Sequence, residues 1–156
     1  MSWSGVLTTI DTHLATAAGV VNALDTGKEP FDAMRGYPKS LIRRQVTFWY
    51  EGDQESTTGG KTFGKNNIQE RIHIRWYFPI LSREEAFVSG VEVQIQAANR
   101  ATQAALLGDS LLGGNCIGLE IQNTTTGFVN VNEAWVQVLD IPVLIDMAWT
   151  EDIAQL

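Results

Sequence analysis

The amino-acid sequence predicts an α+β domain in which two helices pack on a mainly antiparallel or mixed sheet of four or more strands. Two segments place apolar residues at three- and four-residue steps, which is the period of an amphipathic helix. Four other segments alternate apolar and polar residues, as strands do. The order is helix, two strands, helix, two strands. Because the 156 residues contain no internal repeat and no domain boundary, we expect a single domain over residues 1–156.

The first helix is expected over residues 5–23, with Ser4 as its N-cap. Its buried stripe consists of the apolar residues at helical spacing: Val6, Ile10, Leu14, Ala17, Val21 and Leu24. Residues 25–40 contain two prolines and two glycines and should form an extended loop. Three large side chains of that loop must pack either on this domain or on a neighbouring molecule: Phe31, Met34 and Tyr37.

A long antiparallel hairpin follows, because two alternating runs flank a polar segment. The first strand is expected over residues 42–50, and the second, over residues 68–78, has the cleanest alternation in the chain. The connecting residues 51–67 are polar and rich in glycine. Loops longer than about 12–15 residues are uncommon in compact domains and are usually functional or disordered. We therefore expect residues 51–67 to be mobile in the free protein.

The second half of the chain should contain one helix and two strands. Ser82 and Glu85 form a capping box at the start of the helix, and Gly108 ends it. The remaining elements are a strand over residues 117–121, a turn at 123–127, an extended or bulged segment at 128–138 and a last strand to about residue 149. Pro142 lacks the N–H that a ladder needs, so the last strand should lie at a sheet edge or be bulged there.

The charge of the chain is acidic and unevenly distributed. Eighteen acidic and 11 basic residues give a net charge of −7, which argues against a dedicated nucleic-acid binder. Residues 41–78 carry six basic and four acidic groups, a net of +2, whereas residues 79–156 carry two and ten, a net of −8. The acidic part is either a solvated surface or a surface that meets a complementary partner or repels a polyanion.

Several classes of site are not expected. The single cysteine, Cys116, excludes an internal disulfide, and with only His13 and His73 a zinc cluster is excluded too. We expect no metal and no cofactor. The N-terminal residues contain no basic region followed by a long apolar run, and no segment approaches 18–20 consecutive apolar residues, so neither a signal peptide nor a membrane span is expected.

No motif supports an enzyme. The Gly60-Lys61-Thr62 sequence fails as a phosphate loop, because Glu55 stands where the pattern needs glycine and a strand follows it. Cys116 and His13 are expected to be structural residues. His73 lies between Arg71 and Arg75, whose positive charges disfavour its protonated form. This is only weak support for a general base. We therefore predict no catalytic residues and no enzymatic activity.

The basic face of the hairpin is the main cluster of candidate functional residues. Arg43 on the first strand and Arg71 and Arg75 on the second share the outward-facing parity. This face is a solvated sheet surface, a subunit interface in which arginines pair with a neighbour's carboxylates, or a DNA contact. The predicted subunit or tail-tube interface comprises Arg43, Arg71, His73 and Arg75, with Gly59, Gly60, Lys61 and Phe63 of the connecting loop.

The order of elements resembles the tail terminator, or tail completion, proteins of long-tailed bacteriophages. The shared features are a short N-terminal helix, a loop, a long hairpin with an insertion, an alanine-rich helix and two C-terminal strands. The chain ends in a β-run, LDIPVLIDMAW at residues 139–149, of the kind seen in that family. The resemblance covers about residues 5–149 and rests on element order and chain length, since the family has no catalytic signature.

The resemblance implies a homohexameric ring that caps the finished tail tube, stops its polymerisation and joins the tail to the head. The implied partners are other copies of the chain, the tail tube protein and the head–tail connector protein. DNA would pass through the ring without specific binding. The protein would be a part of the virion, at the tail or neck, after assembly in the cytoplasm of the bacterial host.

Two alternatives stay open at this point. Similar small α+β proteins serve as other head–tail connectors and neck proteins of the same particles. A small non-viral binding module, monomeric or dimeric, has the same composition and the same expected elements.

Overall fold

Two helices lie on one face of a six-stranded mixed sheet in the computed structural model of the chain, which describes residues 2–25, 27–55, 67–80 and 90–148. The helices are α1, Trp3–Leu24, and α2, Val91–Leu107. The strands are β1 (Asp32–Arg35), β2 (Gln45–Glu55), β3 (Asn67–Ile80), β4 (Gly118–Ile121), β5 (Thr125–Val131) and β6 (Ala134–Ala148). The predicted α+β class is confirmed.

The sheet runs in the order β1-β2-β3-β6, and β4 and β5 lie end to end along the far side of β6. β1 is parallel to β2, and the other described pairs are antiparallel. The two longest strands, β3 and β6, are therefore central. We call the sheet face under the helices the inner face, and the opposite one the outer face.

Helix α1 begins earlier than predicted, because Ser2 and not Ser4 is its N-cap. The Ser2 hydroxyl accepts a hydrogen bond from the backbone N–H of Gly5 at 3.0 Å, which satisfies one of the free donors of the first turn. The predicted stripe is buried at Val6, Ile10, Leu14, Ala17 and Val21. Leu24, at the end of the helix, is instead exposed.

The core lies between the helices and the inner face. Ile72, Ile74 and Trp76 of β3 face it and are fully buried, and each such side chain contributes about 1.5–3 kcal/mol relative to exposure. The indole Nε1 of Trp76 donates to the hydroxyl of Thr102 on α2 at 3.0 Å. The largest ring of the core thus has its polar atom satisfied by the helix that covers it.

The segment that links α1 to β2 contains a strand that the sequence did not predict. Residues 32–35 form β1, a short edge strand held by parallel pairing with β2. Phe31, just before it, packs on this domain, edge-on to Trp76 and Phe78 at centroid distances of 5.3 and 5.1 Å. Met34 is exposed, and so is Tyr37, although one side of its ring packs on Trp49 of this chain.

The hairpin strands are longer than predicted, so the expected loop over residues 51–67 is wrong at both ends. β2 begins at Gln45 and continues to Glu55, and β3 already begins at Asn67. Tyr50 pairs with Ile72 and Gly52 with Arg71, which leaves Glu51 as the extra residue of a β-bulge. The bulge shifts the apolar–polar alternation by one residue, so the sequence pattern did not show that β2 continues beyond residue 50. Residues 56–66 lie outside the described residues.

The predicted turn at residues 123–127 is also wrong, since β5 begins at Thr125. The turn lies instead at Asn132 and Glu133, whose φ angles of 49° and 70° are those of a two-residue hairpin turn of type I′. Ser82 and Glu85, the predicted start of the second helix, lie outside the described residues. Helix α2 is described from Val91 and ends at Gly108, as predicted.

Pro142 lies in a central strand, although we expected the strand either to lie at a sheet edge or to be bulged at this residue. The regular pairing is interrupted on the side of β6 that faces β4 and β5. β4 pairs with β6 up to Val143, and β5 pairs with it from Asp140. Between these two pairs, residues 122–124 stand opposite only residues 141 and 142, so that side has one extra residue. The carbonyl of Pro142 accepts from Gln122 N at 2.9 Å, so its missing N–H faces the same junction. A proline is tolerated there because no regular ladder needs its donor.

Candidate functional site

The outer face carries a cluster of charged and aromatic side chains centred on His73. The imidazole Nε2 lies 2.5 Å from Asp140 Oδ1, and Nδ1 lies 3.1 Å from Glu51 Oε1. Asp140 lies on β6, two residues from Pro142, which is paired with His73. Glu51 is the extra residue of the β2 bulge, which turns its carboxylate towards the ring. The histidine is therefore held between two carboxylates from the two neighbouring strands.

Asp140 also binds Arg75, the next residue along β3 on this face. Arg75 Nε donates to Asp140 Oδ1 at 2.6 Å. Burial raises the pKa of Asp140, but the hydrogen bonds from His73 and Arg75 outweigh it and hold that pKa below its ordinary value. Burial likewise lowers the pKa of Arg75, and its bond to Asp140 outweighs this, so the pKa is raised. Both charges are thus stabilised in place.

Aromatic rings extend the cluster to the surface. Trp49 of β2 stacks on the His73 ring, with 4.6 Å between centroids and 12° between planes. The guanidinium of Arg75 lies 5.5 Å from the Trp49 centroid, within range of a cation–π contact. Tyr37 packs on Trp49 at 5.2 Å and is 76% exposed. We call Tyr37, Trp49, Glu51, His73, Arg75 and Asp140 the outer-face cluster.

The structure brings together part of the predicted interface. His73 and Arg75 are both in the outer-face cluster. Arg71 is exposed on the same face of β3, and its guanidinium passes 3.8 Å from the position of a Cβ at Gly52. The other predicted residues are Gly59, Gly60, Lys61 and Phe63, which lie outside the described residues.

Arg43 is not part of this cluster. It precedes β2 rather than lying in it, which corrects the predicted strand start at residue 42. Its guanidinium binds Glu29 Oε1 at 3.2 Å and lies 3.8 Å from Asp32 Oδ2. All three side chains are largely exposed, so this pair contributes little to stability. Arg43 therefore binds the linker before β1 and does not lie on the face of the hairpin.

Sequence reasoning missed four members of the cluster: Tyr37, Trp49, Glu51 and Asp140. Trp49 was predictable from alternation, because it has the outward-facing parity in its strand, as His73 does in the next strand. Asp140 alternates with buried residues of β6 and so was assignable to the polar face. Glu51 had no such signal, since its position depends on the bulge.

Cys116 and His13 lie outside the outer-face cluster. Burial raises the pKa of Cys116 to about 11, so its thiol is protonated at neutral pH. His13 Nε2 lies 2.8 Å from Asp109 Oδ2, and this pair links α1 to the turn after α2. In the part of the chain that the structure describes, no group of three His, Cys, Asp or Glu side chains could hold a metal ion. Among those same residues, no helix is both long and apolar enough to cross a membrane.

Comparison with known proteins bears on the fold alone. No protein family matches the chain, and no curated protein matches it. Thirty-six chains of solved structures are similar in fold. One belongs to the virion of a native gene transfer agent particle, with a TM-score of 0.52 and 16% sequence identity. The match covers 88% of this chain and 91% of that chain, so the whole architecture is shared and not a fragment of it.

Proposed function

We propose that this chain is a structural protein of a phage-like virion. The observation that carries the proposal is the match to a chain of the gene transfer agent virion, which extends over nearly the full length of both chains. The described residues support a role in assembly better than a role in catalysis. The polar groups of the outer-face cluster satisfy one another, while its rings extend to an exposed tyrosine.

Within this class we propose the role of a tail terminator, which forms a homohexameric ring on the tail tube and joins it to the head connector protein. In a ring, each subunit contacts its neighbours through two different surfaces. The outer-face cluster, with exposed Tyr37 and Arg71, offers one surface. Acidic side chains of the β4–β6 edge, such as exposed Glu120, offer a complementary one.

The other properties follow from that role. The protein would act in the tail or neck of the virion after assembly in the host cytoplasm, without a cofactor, a membrane contact or an enzymatic activity. DNA would pass through the ring without specific binding, because a net charge of −7 disfavours retention of phosphate.

Native mass spectrometry and negative-stain imaging, with and without purified tail tubes, test the proposal. We expect hexameric rings at high concentration or on tube ends, and tubes of limited length when the protein is present. Rings that bind a connector complex but not tubes would favour a connector or neck protein. A particle that stays monomeric or dimeric in every mixture would refute the ring and favour a binding module.

A pair of variants tests the surface. Replacing Tyr37 by Ser and Arg71 by Glu removes an exposed ring and reverses an exposed charge, without touching the contacts of His73, Arg75 and Asp140. We expect rings to be lost while circular dichroism is unchanged. Arg100→Glu is the matched control, because Arg100 is exposed on α2 in the opposite layer. Intact rings in the double variant would show that the outer-face cluster is not the interface.

A further inference from the structure

A cavity of about 670 Å³ opens at the other end of the sheet, near the β5–β6 turn. Its walls include Phe78 and Ile80 of β3, Val91 and Gln94 of α2, Ala134 of β6, and Arg44. The volume lies within the range of roughly 300–1,000 Å³ that is usual for ligand pockets. The cavity is remote from the outer-face cluster, because Ala134 at the cavity and Asp140 of the cluster lie at different points along β6.

Arg44 is the unusual residue of this cavity. It is 9% exposed, and its guanidinium lies 4.3 Å from the centroid of the Phe31 ring. Within the described ranges, its Nη2 donates a single long hydrogen bond, of 3.5 Å, to Gln94 Oε1. Its Nε is buried and has no hydrogen-bond acceptor among the residues that the structure describes. A buried guanidinium normally has its donors satisfied, because an unsatisfied one costs free energy.

The two carboxylates whose charges act on Arg44, those of Asp25 and Glu29, are engaged with other residues. Asp25 Oδ2 accepts from Gln94 Nε2 at 3.1 Å and lies 3.5 Å from Lys28 Nζ. Glu29 binds Arg43. Burial lowers the pKa of Arg44 by more than Asp25 and Glu29 raise it, although an arginine still stays charged at neutral pH. Glu133 lies at the turn and also lines the cavity.

We propose that this cavity is a binding site for a carboxylate that is attached to an apolar group, with Arg44 as the partner of the anion. A carboxylate is planar and accepts two hydrogen bonds, which matches the fork of donors on a guanidinium. Phe78, Ile80 and Val91 would surround the apolar part. Such a group is supplied either by an acidic side chain in an apolar peptide segment of another subunit or by a free carboxylic acid.

Titration of the ¹⁵N-labelled protein by NMR tests the site. The peptide probe is an acetylated, amidated leucine–glutamate–leucine tripeptide, and the free-acid probe is hexanoate. The neutral analogues are the leucine–glutamine–leucine tripeptide and hexanamide. We expect shifts of the Val91, Gln94 and Ala134 amides with at least one acidic probe, and binding at least about tenfold weaker for its neutral analogue. Which acidic probe binds more tightly identifies the source of the carboxylate.

Two variants connect binding to the residues. Arg44→Met keeps an unbranched apolar stem and removes the guanidinium with its charge, so we expect it to weaken binding of the acidic probe by about tenfold or more. Arg100→Met, on the exposed side of α2, is the matched control and should bind normally. Ala134→Phe should abolish binding by filling the cavity, which tests the site independently if Arg44→Met fails to fold. Equal binding of acidic and neutral probes, absence of shifts at these amides, or normal binding by Arg44→Met would overturn the proposal.

Discussion

Trp49 lies almost flat against His73, with 4.6 Å between the ring centroids and 12° between the planes. This stack connects an exposed tyrosine to a histidine whose two nitrogens face carboxylates from two strands. Both nitrogens of an imidazole donate only when the ring is protonated. The two carboxylates therefore hold the side chains of the cluster in place, and Asp140 makes more of these contacts than Glu51 does.

Asp140→Asn should destabilise the fold at neutral pH by about 2 kcal/mol, because the carboxylate receives bonds from both His73 and Arg75. The pKa of Asp140 is below its ordinary value of about 3.9. A lowered pKa gives stability that is complete above the ordinary value and is lost as the pH falls through the lowered one. The deficit of the variant should thus be present at pH 7 and shrink below about pH 4.

Urea unfolding at a series of pH values measures this deficit. Glu120→Gln is the control, since it removes a carboxylate that is exposed on the same face. A deficit that is equal at pH 7 and pH 2.5 would show that the ionised form of Asp140 is not what stabilises the protein.

Thr102→Val should cost roughly 1–3 kcal/mol although the two side chains have the same shape. The hydroxyl accepts from Trp76 Nε1 at 3.0 Å and donates to the Ala98 carbonyl at 2.8 Å, both in the core. Valine would leave the indole donor buried without a partner. Chemical denaturation measures the effect, and Thr102→Ser, which keeps the hydroxyl, should be the more stable variant. A valine variant as stable as the parent would refute this account.

The two glycines of α1 should differ in how replacement by alanine changes the stability of the protein. Gly19 is exposed, with no atom within 4 Å of a Cβ built there, so Gly19→Ala should stabilise the protein by about 0.5–1 kcal/mol. A Cβ at Gly5 would instead collide with the side-chain amide of Asn115, so Gly5→Ala should show no such gain. Thermal unfolding measures both. In an Asn115→Ala background the gain at Gly5 should return, and its absence there would exclude the collision as the cause.

Cys116 should be inert to disulfide reagents in the native protein at pH 8. Its side chain is buried, and burial raises the pKa to about 11, so little thiolate is present. Ellman's reagent should detect no thiol until guanidinium chloride unfolds the chain. An exposed cysteine in the variant Cys116→Ser, Arg100→Cys should react at once under the same conditions. Rapid reaction of the native parent would mean that the region around Cys116 opens readily.

Periodicity predicted the parts of the fold in which one side of an element is buried along its whole length. The stripe of α1 and the alternation of β3 are of this kind. It missed β1 and β5, whose residues are mostly exposed or half-buried and so show no apolar alternation. A four-residue edge strand has too few positions to show a period.

The candidate site was predictable to the extent that its residues are close in the sequence. His73 and Arg75 share one face of one strand, so alternation placed them together. Asp140 is 65 residues from Arg75, and no local pattern states which strands are neighbours. Arg43 was misplaced because an alternating run extended three residues beyond the true start of β2. Arg44 shares the buried parity of Val46 and Phe48, but no local pattern indicated its contacts with Phe31 and α2.

The junction at Pro142 should divide the edge of the sheet into two units that open separately. The amides of β4 and β5 are protected by different stretches of β6, and at the junction only the bond from Gln122 is shared with the proline. We therefore expect local opening that starts at one end of this edge to stop at residue 142. Native-state hydrogen exchange should resolve two free energies of opening along it, one for the amide of Glu120 and another for that of Val129, both of which face β6.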